Sequence, residues 1–273
     1  MKKLYLLILT TIFSLSLVAC QSDEMKQAIA DFDAAVASVT AMNTEVDEAV
    51  AVAEETVLAK EPVLDVELIP QLETAISSAK AAKQEIPERP KELEEIVEMT
   101  KKLSEISYDE VLKTLTDTHT ELKKSAERYK LVFAPEEAYV IQALEKVPNI
   151  VNIAAATEEN DPNGNLNKAG GYTAQVYFSS DLINQSEIYG DSLIEKGTDA
   201  GGSIEVYATV EDATDRNDYL AIYDGSIFAS GSHKVIGTVL VRTSDELTAT
   251  QQKTLESNIV AALTFLEGDP EIQ

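Results

Sequence analysis

A chain of 273 residues with 26% charged and 44% hydrophobic side chains is long enough for two domains and too apolar to be wholly disordered. Its net charge of −26 is spread along the chain: residues 21–134 carry 25 acidic and 13 basic side chains, and residues 135–273 carry 23 and 7. That balance leaves no basic patch for nucleic acid, and anionic lipid or wall polymer could be met electrostatically only through a bridging cation.

Lys2 and Lys3 precede a mostly apolar run from Leu4 to Leu17, interrupted by Thr10, Thr11, Ser14 and Ser16. The run is shorter than the ~20 apolar residues a spanning helix needs, so it reads as a cleaved export signal. It ends in Leu17-Val18-Ala19-Cys20, which resembles the bacterial lipobox. That resemblance implies acylation of Cys20 and its exposure as the mature N-terminus; two or more acyl chains anchor stably where one is marginal. The alternative is an ordinary signal peptide with a nearby cysteine. Cys20 is the only cysteine, so no internal disulfide can form and the rest must fold by its core alone.

From residue 22 the pattern is helical. Ile29, Phe32, Val36, Val39, Asn43, Val46, Val50, Ala53 and Val57 follow one another in steps of three and four, a heptad seam with one polar position. Ala28, Ala35 and Ala49 beside it allow close helix approach. Pro62 and Pro70 mark a break and a restart. A second seam runs through Leu68, Leu72, Ala75, Ala79, Ala82 and Ile86, and Pro87-Glu88-Arg89-Pro90 reads as a turn. A third helix is predicted from about Lys91 to Phe133, with a seam that turns polar at Thr100, Ser104 and Ser107. Short connections favour an antiparallel up-down-up bundle with a short middle helix; intermolecular coiled-coil pairing is the alternative. His119 reads as a surface residue of the third helix, and the spacing Ser77-x-x-Lys80 lacks the companion motifs of serine acyl-enzymes.

Composition changes at Ala134-Pro135: all 11 glycines lie after residue 163. Pro135-Glu136-Glu137 opens a helix carrying Val140, Ile141 and Leu144. Strands are predicted at Ile150–Ala156, Tyr172–Phe178, Ile204–Ala208 and Val235–Val241, the last with Gly237 suggesting a bend or a close backbone approach. A helix is predicted over Glu211–Tyr223. Thr248-Ala249-Thr250-Gln251 is a capping box opening a final helix with Leu255, Ile259, Leu263 and Leu266 on one side. The order predicts an α+β sandwich with helices on one face of a mainly antiparallel sheet.

Two loops carry candidate chemistry. Between the first two strands, Asp161, Asn163, Asn165 and Asn167 place an oxygen at every second residue, the spacing of the first half of a calcium loop. Leu166 stands where such a loop wants glycine, and Tyr172 where it wants glutamate. The open readings are calcium, a structured Ω-type loop and a direct ligand contact. The second loop holds Asp224, Ser226, Ser230, Ser232 and His233, the raw material of a nucleophile and base without the Gly-x-Ser-x-Gly arrangement. Six tyrosines (Tyr172, Tyr177, Tyr189, Tyr207, Tyr219 and Tyr223) offer an exposed subset as a binding surface.

Three stretches are familiar in combination: Thr157 to Gly164 with Gly171-Tyr172-Thr173-Ala174; Ile204 to Tyr207 with Asp212-Ala213 and Arg216 to Leu220; and Val239 to Arg242 with Leu247-Thr248. Together they resemble an uncharacterised domain of Gram-positive exported proteins and lipoproteins, some labelled Ebh-like, over about residues 135–266. The resemblance implies an envelope location and carries over no catalytic or binding residue.

The sequence thus predicts a lipoprotein signal peptide over 1–19, a lipid-anchored helical coiled-coil stalk over 20–134 and an α+β domain over 135–273. The expected role is that of a non-enzymatic, extracytoplasmic lipoprotein, held at the outer face of the cell membrane through Cys20. It would display the α+β module to an envelope protein or wall ligand, with no cofactor and no nucleic acid. The alternatives are a ligand-binding accessory to a transporter or sensor, and a Ser/His hydrolase.

Overall fold

The computed structural model describes residues 22–226 and 231–272. The signal segment, Cys20 and Ser230 lie outside the described residues. The chain is an antiparallel helical bundle followed by an α+β sandwich.

Helix α1 (Asp23–Ala59) starts at Ser22, whose side-chain oxygen accepts the Met25 N–H, and carries Asp23 and Glu24 in its positive first turn. Its 37 residues make it roughly 55 Å long. The predicted seam is its buried face, with Phe32, Val39, Val46, Val50 and Ala53 inside and Ala28 and Ala35 beside them. Helix α2 (Leu68–Ala82) runs back along it, and residues 83–92 continue downward without regular structure. Ion pairs record the antiparallel register: Lys80 to Glu54 at 2.6 Å, Lys83 to Asp47 at 2.6 Å and Arg89 to Asp33 at 3.0 Å.

The predicted third helix is two helices, α3 (Leu93–Ser104) and α4 (Asp109–Leu131). The break falls where the seam is polar. Tyr108 turns inward there, only 3% exposed. Its hydroxyl donates to Asn43 Oδ1 at 2.8 Å and accepts the Gln84 N–H at 2.8 Å, while Asn43 Nδ2 donates to the Gln84 carbonyl at 2.9 Å. This closed polar layer fixes the register of all three passes, the role expected of a polar seam residue. Below it, α1 packs against α3 through Phe32, Val39, Ile96 and Leu103; above it, α1, α2 and α4 share a core around Val46, Leu72, Ile76 and Leu115.

After α5 (Glu137–Leu144), five strands form one antiparallel sheet in the order β1-β2-β3-β5-β4: β1 (Ile150–Ala155), β2 (Tyr172–Ser180), β3 (Gly201–Tyr207), β4 (His233–Ile236) and β5 (Val239–Thr243). A short helix α6 (Leu193–Lys196) and a 3-10 turn (Gly197–Ala200) lead into β3. The predicted last strand is the β4–β5 hairpin, turned by Gly237-Thr238. Helices α5 and α8 (Ala249–Leu263) cover one face, burying Val176, Phe178, Ile204 and Val241. Helix α7 (Val210–Ala221) covers the other face with Tyr172, Tyr207 and Leu240, which corrects the one-sided sandwich. Alternation along β5 sends Val239 and Val241 to one side and Leu240 to the other. The capping box at Thr248 and Gln251 opens α8 as read from sequence.

Bundle and sandwich share a core. Val132, one residue past α4, is buried among α5, α8 and the sheet, and Leu64 from the α1–α2 connection packs on the same cluster. Thr238 N–H donates to the Val132 carbonyl at 2.9 Å, and Ala134 N–H donates to Thr238 Oγ1 at 2.7 Å. Gly237 has φ +58°, and a Cβ there would lie 2.4 Å from the Val132 oxygen. The glycine is required by this approach.

Candidate functional site

The oxygen-rich loop folds on itself. Asp161 Oδ2 accepts the N–H groups of Asn165 at 2.7 Å and Leu166 at 2.9 Å, and its Oδ1 accepts the Asn163 N–H at 3.1 Å and the Tyr172 hydroxyl. Burial alone would raise the Asp161 carboxyl; the Tyr172 hydroxyl and the three backbone N–H groups outweigh it and hold the group below its ordinary value. Asn163 Nδ2 donates to the Tyr172 hydroxyl, and Asn167 Nδ2 donates to Glu158 Oε1 at 2.8 Å. Both Asp161 oxygens thus serve backbone N–H groups and a hydroxyl, the bonding of an Asx-type turn, which uses the same residue types as a calcium loop. Leu166, the residue that spoils the calcium pattern, is the plug that this turn inserts into the core under α7.

The second loop does not assemble a nucleophile and base among the described residues. His233 Nδ1 pairs with Asn217 Oδ1 at 2.8 Å, and Nε2 with Asp224 Oδ1 at 3.2 Å. Ser226 Oγ donates to the Tyr223 carbonyl at 2.6 Å. Ser232 Oγ pairs with Thr243 Oγ1 and donates to Glu256 Oε2, each at 2.8 Å. Both ring nitrogens of His233 are thus engaged away from these two serines.

Between the two loops lies a buried polar network on the α7 face of the sheet. Glu205 is fully buried and accepts from Tyr207 Oη at 2.6 Å, Arg242 Nη1 at 2.9 Å and Arg216 Nε at 3.3 Å. Two guanidinium groups and a hydroxyl are what permit a carboxylate there. Next to it, the Gln175 amide and the Ser203 hydroxyl are buried without a hydrogen-bond partner. Of the six tyrosines, Tyr189 and Tyr219 are exposed; Tyr219 stacks edge-on with Tyr223, and Arg216 lies over its ring.

An open groove lies in the bundle, and sequence reading passed over it. A groove of about 410 Å³ runs between the upper part of α1 and α4, floored by Val57, Ile69, Leu122 and Ala126. A second hollow of about 360 Å³ continues it downward past Ala49 and Leu115, with Val52 and His119 common to both. Such volumes lie in the range of ligand pockets. His119 Nε2 pairs with Thr56 Oγ1 at 2.8 Å across the groove. Burial, then the charge of Lys123, pull the imidazole below its ordinary pKa. Ala49, Val52 and Thr56 on α1, and His119 and Lys123 on α4, keep helical spacing, but that they face one another depends on the placement of α4 against α1.

No known protein family, curated protein or solved structure matches this chain.

Proposed function

We propose that the protein is an extracytoplasmic lipoprotein, anchored through acylated Cys20, whose bundle holds the α+β module away from the membrane and serves in binding at the cell envelope. The observation that carries this reading is the position of the module. Ser22 caps the near end of α1, two residues past Cys20, while Leu64 and Val132 join the module core at the opposite end. A helix roughly 55 Å long therefore separates the two. Among the described residues no helix is long and apolar enough to cross a membrane. The lipobox-like Leu17-Val18-Ala19-Cys20 supports a covalent lipid as the attachment. The acidic surface suits a protein that must not adhere to anionic neighbours. The open groove makes the bundle a binding surface as well as a spacer.

Replacing Cys20 with serine is expected to release an intact, folded protein into the soluble fraction. Retention of that variant in salt-washed membranes would falsify the anchor.

A further inference from the structure

The groove between α1 and α4 has the form of a missing fourth helix. From Glu45 to Ala59 it follows α1 for about 21 Å, some 14 helical steps, and it runs on to Glu61 just past the helix end. Its walls are two helix faces running parallel, as the pairings Asn43–Tyr108 and Thr56–His119 show. Leu115 and Leu122 at its floor are 1% and 3% exposed, whereas Val52 on its wall is 53% exposed, more than a residue of an apolar stripe normally leaves to water. Val52 thus stands exposed beside an apolar groove floor, a seat for the apolar edge of a further helix.

The rim states the charge of that helix. Along the α1 side stand Glu45, Glu48 and Glu55, and none of them forms an ion pair. On the α4 side the lower rim is Thr116, and Lys123 and Glu127 follow above. Glu61 and Lys130 neutralise each other at 3.2 Å, and Lys60 closes the upper end. The excess charge of the groove is thus negative and confined to α1. A bound acyl chain would use the apolar floor but leave the row of three glutamates unanswered. A helix with basic residues on one flank answers both.

We propose that the α1–α4 groove binds an amphipathic helix of a partner protein, about 16 residues long, with an apolar stripe flanked by lysine or arginine on the side facing α1. The Thr56–His119 pair supplies one polar layer in the stripe, a device that fixes the register of a docked helix. This inference names the partner class for the binding role proposed above, and it holds or fails independently of the anchor.

The test uses the full chain carrying Cys20→Ser and a synthetic amphipathic helix with leucine along its stripe and lysine along one flank. A peptide with glutamate in place of lysine is the control. Calorimetry is expected to show binding at least ~10-fold tighter for the lysine peptide. Hydrogen exchange is expected to show protection confined to the α1 and α4 stretches that line the groove. Val52→Glu is the deciding variant. It adds negative charge, so diffuse attraction of a cationic peptide would strengthen, whereas docking in the stripe should weaken ~10-fold or more. Val52 is half exposed, so the fold should survive, and an unchanged Tm verifies this. Unchanged or tighter binding to Val52→Glu overturns the proposal. So does protection of the groove by a single-chain lysophospholipid and not by the peptide. Self-association of the chain through this face, abolished by Val52→Glu, would assign the groove to a second copy and likewise overturn it.

Discussion

The bundle and the sandwich solve the same problem with opposite surpluses. In the sandwich both faces of the sheet are covered, β3 and β5 are buried throughout, and a carboxylate with two guanidinium groups is enclosed beneath α7. In the bundle each helix has one buried face, and the space between α1 and α4 stays open over apolar side chains. The sandwich encloses more polarity than a sheet face needs, and the bundle exposes more apolar surface than a spacer needs. Selection for stability alone would have removed both. The difference sets an open groove in the bundle against a closed polar network in the sandwich.

Substitutions in the two cores give the largest effects and ask whether the regions are separable. Glu205→Ala leaves Arg242 buried beside an empty carboxylate position and should cost about 3–5 kcal/mol. Leu72→Ala opens a cavity in the bundle and should cost about 2–5 kcal/mol. Because Val132 and Leu64 belong to the sandwich core, each change should lower one common calorimetric transition. Two transitions that respond separately would show that the shared core does not couple them.

Gly237→Ala sharpens the comparison at the joint. The added methyl meets the Val132 carbonyl and the backbone is left-handed there, so a loss of about 1–3 kcal/mol is expected. The signature is faster hydrogen exchange at the Thr238 amide, with the α2 amides unaffected. Equal loosening along α2 would place the strain elsewhere.

The smallest effect belongs to the sandwich alone. The Asp161 carboxyl is held below its unfolded value, so its contribution to stability is complete above the ordinary carboxylate pKa and disappears as pH falls through the lower folded value. Asp161→Asn should cost about 1–3 kcal/mol at pH 7 and flatten the acid limb of the stability curve. Denaturant titrations of both proteins between pH 7 and pH 2 measure this. Parallel acid limbs would remove Asp161 as the source.

What could be read from sequence follows from how local each signal is. The α1 seam, the polar role of Asn43 and the capping box at Thr248 were legible because each depends on residues a few positions apart. The break at 105–108 was not, since no proline or glycine marks it and it depends on Tyr108 reaching Asn43 and Gln84 from distant passes. The β4–β5 hairpin was hidden because Gly237-Thr238 reads equally as a bend within one strand. Asp161 and its alternating asparagines read two ways for a chemical reason: the oxygens that ligate calcium are the same ones that cap backbone N–H groups. The groove needed the placement of α4 against α1, which no local pattern encodes.

The irregular segment 83–92 carries a consequence of its own. It is largely exposed, it contains Pro87 and Pro90, and it is the one covalent link between α1–α2 and everything that follows. Cleavage there would leave the α1–α2 hairpin on one fragment and the module on the other. The two would stay together through the core of Val46, Leu72 and Leu115 and the bridge from Thr56 to His119. A nick there would leave the two halves joined by noncovalent contacts alone, and their separation would require α4 to part from α1 and α2.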